Sequence, residues 1–216
     1  MKKIALKKPV MFILYGFPGS GKSHFARQLS ESLHVSLVSG ERIRFELFEK
    51  PHYDKAEQGI VSHLSEYMSE EFLSAGLSVV LDVDTSKKAY RRKLRDLTRS
   101  KKAVPVLIWF QIDPDSAYAR TKQRDRRTTE GKYARTFTKD EYNKFVNAMQ
   151  YPEKDEDFVV LSGKHSFQMQ KTAILRKLFD LGLIESSDLS AHVVKPGMIN
   201  LVPANPEDGS RNINVR

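Results

Sequence analysis

The stretch "GFPGSGKS", Gly16 to Ser23, follows the apolar run "VMFILY" and precedes the amphipathic segment "HFARQL". It matches the pattern G-x-x-x-x-G-K-[ST] in full. An apolar strand before the glycines and a helix from the lysine onward are the setting in which this pattern binds phosphate. Backbone N–H groups and the positive end of the helix dipole then face the anion. The stretch therefore predicts a loop that binds a nucleoside triphosphate, here ATP.

Seven residues of this region are the expected contacts of ATP. Small side chains are needed where the backbone turns around the phosphates. Lys22 can reach the β- and γ-phosphates, and the Ser23 hydroxyl can ligate Mg²⁺. The expected nucleotide-binding set is Gly16, Gly19, Ser20, Gly21, Lys22, Ser23 and His24.

A second Mg²⁺ anchor is expected from the apolar run "VVLDVD", residues 79–84. Asp82 stands where this strand ends, and ligands of α/β sheets gather at the carboxyl ends of strands. Asp84 lies two residues further on, so its side chain points to the same side if the strand continues. Ser23 and Asp82 are therefore the predicted metal ligands, and Asp84 is the second choice.

Strand and helix patterns alternate along the chain, which predicts an α/β fold with a mainly parallel five-stranded sheet and helices on both faces. Asp113 and Pro114 form the start signal of one helix. The expected strands are residues 10–15, 34–40, 77–84, 103–112 and 157–163.

Three helices carry apolar stripes that we expect to face the core. The helix over 56–75 should bury Ile60, Leu64, Met68 and Phe72. The basic helix over 87–102 should turn Tyr90, Leu94 and Leu97 inward. The helix over 166–182 should bury Ile174, Leu175, Leu178 and Phe179.

The positive charge of the chain is local. The formal net charge is +9, and residues 87–102 and 120–139 hold most of the excess, whereas residues 41–71 are mainly acidic. Such segments are either solvated helix faces or a surface for phosphates and nucleic acid. Cysteine is absent, which fits a cytoplasmic location, and no apolar run is long enough to span a membrane, so no membrane partner is expected.

Composition divides the chain into one main domain and an extension. Residues 1–184 form the expected nucleotide-binding domain, with an arginine-rich lid at about 120–150. Residues 185–216 change character, with three prolines and short β-like pieces, and form a predicted C-terminal extension or arm.

Four blocks in order resemble one branch of the P-loop kinases, which includes polynucleotide kinases, zeta toxins, chloramphenicol phosphotransferase and AAA-like ATP-binding proteins. The blocks are "GFPGSGKS", "VSLVSGERIR", "VVLDVDTSKKAYRRKLRDL" and "IDPDSAYARTKQRDRR". They extend over about residues 10–180. The resemblance implies a P-loop NTPase three-layer sandwich that binds ATP and Mg²⁺.

The resemblance also implies roles for residues outside the loop. Glu41 stands where the family usually has Asp, as the general base or the group that orients the acceptor hydroxyl. Arg44 would hold an anionic part of the acceptor. The lid would place arginines over the transferring phosphoryl group, where fixed cations stabilise the transition state. The lid candidates are Arg120, Arg124 and Arg127.

The resemblance favours a kinase that moves the γ-phosphate of ATP to a hydroxyl. The acceptor is either a nucleic acid 5′ end, which the two basic segments favour, or a small molecule, which the compact size favours. The alternative function is a P-loop ATPase that acts as a switch or assembly factor. A GTPase is disfavoured because the base-reading motif Asn-Lys-x-Asp is absent from the sequence.

Overall fold

The computed structural model describes residues 4–124 and 132–188, and a five-stranded sheet lies at its centre. Every neighbouring pair of strands is parallel, in the order β2-β3-β1-β4-β5. This confirms the predicted α/β sandwich. The strands are β1 (Val10–Gly16), β2 (Ser36–Ser39), β3 (Val79–Asp82), β4 (Val104–Gln111) and β5 (Phe158–Ser162).

Seven α-helices connect and cover the strands in the described ranges, together with one 3₁₀ turn at Lys154–Glu156. The predicted start at Asp113 is confirmed, because its carboxylate accepts a hydrogen bond from the Ser116 N–H at 2.8 Å and Pro114 occupies the first helical position. The helices are α1 (Lys22–Leu33), α2 (Gly40–Leu47), α3 (Lys55–Ser74), α4 (Lys88–Ser100), α5 (Pro114–Lys122), α6 (Lys139–Asn147) and α7 (Phe167–Asp180).

Both faces of β1 are buried, as in a sheet covered on both sides. Because side chains alternate along a strand, successive residues enter different cores. Phe12 and Leu14 pack in one core with residues of α1 and α7. Met11 and Ile13 pack in the other core with Leu94 of α4 and residues of α3. The central strand is therefore shielded from water, and the loop that follows it starts from a fixed point.

Helix α3 buries a different stripe from the predicted one. Ile60 is 47% exposed. The Ser65 hydroxyl donates to the Val61 carbonyl and the Ser69 hydroxyl to the Ser65 carbonyl, each at 2.7 Å. These small side chains are satisfied within the helix, so a polar row can face the core. The buried residues are Glu57, Val61, Ser65, Ser69 and Leu73, while those partly buried are Leu64, Met68 and Phe72.

The predicted inner faces of α4 and α7 are confirmed except at one residue. Leu94 is buried, and Tyr90 and Leu97 pack partly buried against the same core. The α7 residues Ile174, Leu175 and Leu178 are buried. Phe179 is 40% exposed, because it lies at the edge of the stripe.

The basic helix α4 is not a uniformly solvated or phosphate-facing surface, since Arg91 and Arg95 are buried. Arg91 makes a bidentate pair with Glu156 at 2.8 and 2.7 Å. It also donates to the carbonyls of Thr85 and Gln150, each at 2.9 Å. Both arginines are therefore unavailable to nucleic acid, which corrects the sequence interpretation for this segment.

Some predicted features lie partly or wholly outside the described residues. The expected lid at 120–150 is described only before residue 125 and from residue 132, and Arg127 falls in the gap. The predicted arm, 185–216, is described only to Asp188. Both remain predictions. In the described ranges, no helix has the length and apolar character that a membrane span requires.

Candidate active site

Three loops that bear functional groups leave the same edge of the sheet. The phosphate loop follows β1, Asp82 ends β3, and Glu41 lies in the first turn of α2 directly after β2. Ser39 pairs with Asp82 in the parallel register of β2 and β3. Parallel strands end at one rim. The sheet therefore brings together the loop, the predicted metal ligand and the predicted base.

The phosphate loop requires glycine at positions where the backbone turns. Gly19 has φ +86°, and a Cβ there would lie 2.0 Å from the Ala117 carbonyl oxygen. Gly21 has φ +100° and precedes the first residue of α1, and its Cβ position has no described atom within 4 Å. Glycine is thus required at position 19 because α5 approaches closely, whereas at position 21 it is required by the backbone conformation alone.

Lys22 folds its side chain back over the loop. Its Nζ donates to the carbonyl oxygens of Gly16 and Phe17 at 2.7 and 2.8 Å. The pKa of Lys22 is lowered to about 8, mainly because the ammonium group is buried. The negative charge of Asp82 opposes this shift, and the positive charge of Arg124 adds to it. The ammonium group therefore lies within electrostatic reach of the predicted metal ligand and of one predicted lid arginine.

The loop and its surroundings fit a magnesium-bound triphosphate. The Ser20 side chain is fully buried, and its Oγ has no hydrogen-bond partner in the described part of the chain. Ser23 and His24 are exposed at the start of α1, and Asp82 is half-buried. A hydroxyl and a carboxylate oxygen are hard donors of the kind Mg²⁺ prefers. The predicted set of ATP and Mg²⁺ ligands thus stays as proposed.

Glu41 is held by a tyrosine that the sequence interpretation did not include. The Tyr53 hydroxyl donates to Glu41 Oε2 at 3.0 Å. Burial raises the pKa of Glu41, although Tyr53, Arg44 and Arg135 lower it, and Asp82 raises it further. A carboxylate with a raised pKa is a better proton acceptor than an ordinary one.

Arg44 is buried and contacts side chains of α3 and Glu41. Its side chain is 2% exposed, and its Nη1 donates to Glu57 Oε2 at 2.9 Å. Its Nη2 donates to Gln58 Oε1 at 2.6 Å, and its Nε lies 3.8 Å from Glu41 Oε1. The guanidinium donors are therefore engaged mainly with α3, which counts against the expected acceptor-binding role. Arg44 is placed to position Glu41.

Glu57 fixes the backbone that presents Tyr53. Its carboxylate accepts hydrogen bonds from the N–H groups of His52 and Tyr53 at 2.7 and 2.9 Å, in addition to the Arg44 bond. Tyr53 has φ +60°, a left-handed conformation that is rare for a large side chain. Burial raises the pKa of Glu57, but the two backbone donors and Arg44 lower it more. A charged Glu57 therefore stabilises the strained turn.

Of the predicted lid arginines, Arg120 has a defined contact with the loop that follows β5. Its Nη1 donates to the Gly163 carbonyl oxygen at 2.8 Å. A Cβ at Gly163 would lie 2.6 Å from the Ser20 carbonyl oxygen, so the loop after β5 lies directly against the phosphate loop. Arg120 thus braces that contact.

The pKa of Lys22 gives a pH dependence for nucleotide binding. Lys22 is protonated below about pH 8 and loses its charge above it. Because only the charged form attracts phosphate, we expect the affinity for ATP to fall as pH rises above that value, by up to about tenfold per pH unit. Calorimetric titrations of ATP across pH would measure this. Lys22→Arg should bind with a flat profile over the same range. An equal fall in both proteins would contradict the assignment to Lys22.

The fold is shared with several proteins of solved structure. The chain is similar to a gluconokinase from Sinorhizobium meliloti 1021, with a TM-score of 0.54 and 16% identity over 82% of this chain and 94% of that one. It is similar to the Mycobacterium tuberculosis APS kinase solved with AMPPNP and APS, with a TM-score of 0.54 and 16% identity over 80% and 98%. It is also similar to Kti12 from Chaetomium thermophilum solved with ADP-AlF3, with a TM-score of 0.59 and 17% identity over 86% and 100%.

At these identities the likeness shows the fold alone, and that fold is the one expected from the four sequence blocks. No curated protein matches the chain. The family described as AAA domain matches residues 11–145, which is more than half of the 216 residues. The chain therefore belongs to the AAA domain family.

Proposed function

We propose that the chain is an ATP-dependent kinase that transfers the γ-phosphate of ATP to a hydroxyl acceptor with Mg²⁺. One observation carries the proposal. Glu41, a carboxylate with a raised pKa, is held by Tyr53 at the sheet edge from which the phosphate loop also leaves. A carboxylate held at this edge can orient an attacking hydroxyl and accept its proton, as a kinase requires. A switch that hydrolyses ATP has to orient a water molecule instead, so the identity of the phosphoryl acceptor distinguishes the two functions.

The roles follow from where the side chains lie. Lys22 and the loop N–H groups would bind the β- and γ-phosphates, and Ser23 and Asp82 would ligate Mg²⁺. Held by these residues, Mg²⁺ would supply positive charge against the charge that develops on the phosphate oxygens. Glu41 would accept the proton of the acceptor hydroxyl as the new O–P bond forms and the bond to the ADP oxygen breaks. Arg124 is the proposed lid cation, since it already acts on the charge of Lys22.

Two classes of acceptor remain in the proposal, a nucleic acid 5′ end and a small molecule. The burial of Arg91 and Arg95 removes part of the basic surface that favoured nucleic acid. Arg92, Lys93 and Arg99 of the same helix stay exposed, with side chains 77%, 64% and 63% accessible. These three residues are the remaining support from α4 for a nucleic acid acceptor.

Glu41→Gln tests the proposal at the reacting group. We expect phosphoryl transfer to fall by about 10²-fold or more, since an amide cannot accept the proton. The affinity for ATP should change only a few-fold, because Glu41 is not part of the phosphate loop. Single-turnover transfer from γ-labelled ATP would measure the rate, and calorimetry would measure the affinity.

Two further variants control this experiment. Glu49→Gln makes the same change at an exposed residue shortly after α2 and should leave transfer unchanged. Glu41→Asp keeps a carboxylate and should retain part of the activity. Transfer at the wild-type rate by Glu41→Gln would show that this residue is not the base.

A further inference from the structure

Arg135 lies beside the Glu41–Tyr53 pair and has an unusual set of contacts. Its guanidinium carbon lies 4.3 Å from the centroid of the Tyr53 ring and 4.5 Å from that of Phe137. Its side chain is half-buried. Within residues 4–124 and 132–188, its N–H groups have no hydrogen-bond acceptor and no carboxylate within salt-bridge distance. Two aromatic rings therefore hold the cation while its donors stay unused.

The neighbouring carboxylates are already engaged. Glu41 accepts the Tyr53 hydroxyl, and Glu141 accepts the Thr138 N–H at 2.8 Å. Both lie close enough for Arg135 to lower their pKa values. Arg135 is thus near negative charge without being paired to it.

We infer that Arg135 binds an oxyanion on the acceptor, so that the acceptor is a hydroxyl compound carrying its own negative charge. The inference rests on the proposed kinase function. It moves the anion-binding role from Arg44, which is buried against Glu57, to a residue that the sequence interpretation left unassigned.

The aromatic residues around Arg135 hold its side chain in place before any ligand binds. Phe137 is 6% exposed and packs against Tyr142 and Phe145, so one wall of the site is part of the core. Tyr53 forms the other wall, and Arg44 supports it with its guanidinium 4.7 Å from the ring centroid. Both rings lie within cation–π distance of the Arg135 guanidinium, and its N–H groups can still make a planar, bidentate contact with an oxyanion. Little side-chain entropy remains to be lost on binding.

The position of Arg135 can discriminate between charged and neutral acceptors. Tyr53 contacts both Arg135 through its ring and Glu41 through its hydroxyl. An acceptor anchored at Arg135 would therefore present a hydroxyl near the group that takes its proton. A neutral hydroxyl compound would leave the guanidinium without an anion. The expected result is a preference for phosphorylated over unphosphorylated acceptors.

The test starts with binding. Protein labelled with ¹⁵N-arginine is saturated with Mg·ADP, which fills the phosphate loop. The Arg135 Nε–H signal is identified by its loss in Arg135→Met. The probes are then added one at a time. They are inorganic phosphate, a nucleoside and the 3′-monophosphate of that nucleoside, and a sugar and the monophosphate of that sugar. We expect the phosphate-bearing probes to move this signal, and neutral probes or chloride at matched ionic strength to leave it in place.

The second readout is discrimination during transfer from γ-labelled ATP. The wild type should favour the phosphorylated member of each pair in kcat/KM, and Arg135→Met should lower that preference by about 10- to 100-fold, the scale of a charged hydrogen bond. The loss should appear in the acceptor KM. Arg176→Met, at an exposed position of α7, is the matched control and should keep the preference.

Three results would overturn the inference: an Arg135 signal that no phosphate-bearing probe moves, a preference that survives in Arg135→Met, or a loss in kcat with an unchanged acceptor KM. The last result would place Arg135 on the transferred phosphoryl group instead. An Arg135 signal that moves while no acceptor becomes labelled would support the anion site and count against the proposed kinase function. Failure of the anion site can therefore be distinguished from failure of the kinase proposal.

Discussion

Replacing Lys22 by alanine is expected to lower ATP-dependent turnover by about 10³-fold, the upper scale for loss of one fixed group that stabilises transition-state charge. The physical reason lies in its position. The ammonium group is folded onto the carbonyl oxygens of Gly16 and Phe17, at the start of the phosphate loop. The chain should remain folded, since Lys22 makes no ion pair in the described part of the chain. Steady-state kinetics and circular dichroism would measure the two effects.

Ser23→Ala provides the companion variant, because it removes the predicted Mg²⁺ ligand and leaves Lys22 in place. Its loss of turnover should be partly restored by higher Mg²⁺, whereas that of Lys22→Ala should not. Lys8→Ala, at an exposed lysine before β1, controls for the loss of a lysine and should keep full turnover. Unchanged turnover in both loop variants, with normal ATP binding, would contradict the assigned roles.

Arg91→Met is expected to lower the free energy of unfolding by about 3–5 kcal/mol, the cost of leaving one partner of a buried ion pair alone. Arg91 and Glu156 both have fully buried side chains, and the pair connects α4 to the 3₁₀ turn before β5. The Arg91 guanidinium also lies 4.8 Å from the centroid of the Tyr15 ring. Urea denaturation would measure the change.

Arg92→Met makes the same substitution one residue later, where the side chain is 77% exposed, and should change stability by less than about 0.5 kcal/mol. Because removal of both charges avoids an unpaired ion, Arg91→Met combined with Glu156→Leu should recover part of the loss. Equal stability of the Arg91 and Arg92 variants would show that the buried pair contributes nothing to the fold.

Local patterns predicted the parts of this molecule that local interactions determine. The phosphate loop, the strand before it and the helix start at Asp113 depend on residues within a few positions of one another. The apolar runs gave the strands because both faces of this sheet are buried. These features need no knowledge of the tertiary structure.

The residues that the sequence interpretation missed depend on contacts between distant parts of the chain. Arg91 and Glu156 are 65 residues apart, and Arg44 and Glu57 are 13 apart on different helices. The sequence of a basic helix indicates a solvated surface when the carboxylate that pairs with its arginines lies far away in the chain. Tyr53 lies in the short segment between α2 and α3, where no periodicity applies, and Arg135 lies in a polar insert. The only local signal was an aromatic residue within each of these polar segments.

In the proposed reaction the γ-phosphate of ATP is transferred directly to an acceptor hydroxyl, and Glu41 accepts the proton of that hydroxyl. The direct test is to incubate the protein with γ-labelled ATP, Mg²⁺ and a panel of acceptors. The panel contains 5′-hydroxyl DNA, 5′-hydroxyl RNA, nucleosides and a metabolite extract, and labelled acceptor is separated from labelled inorganic phosphate. We expect the wild type and Glu49→Gln to form labelled acceptor at equal rates. Glu41→Gln should form it about 10²-fold more slowly. Label found solely in inorganic phosphate, at a rate that Glu41→Gln does not alter, would contradict the account and favour the ATPase switch.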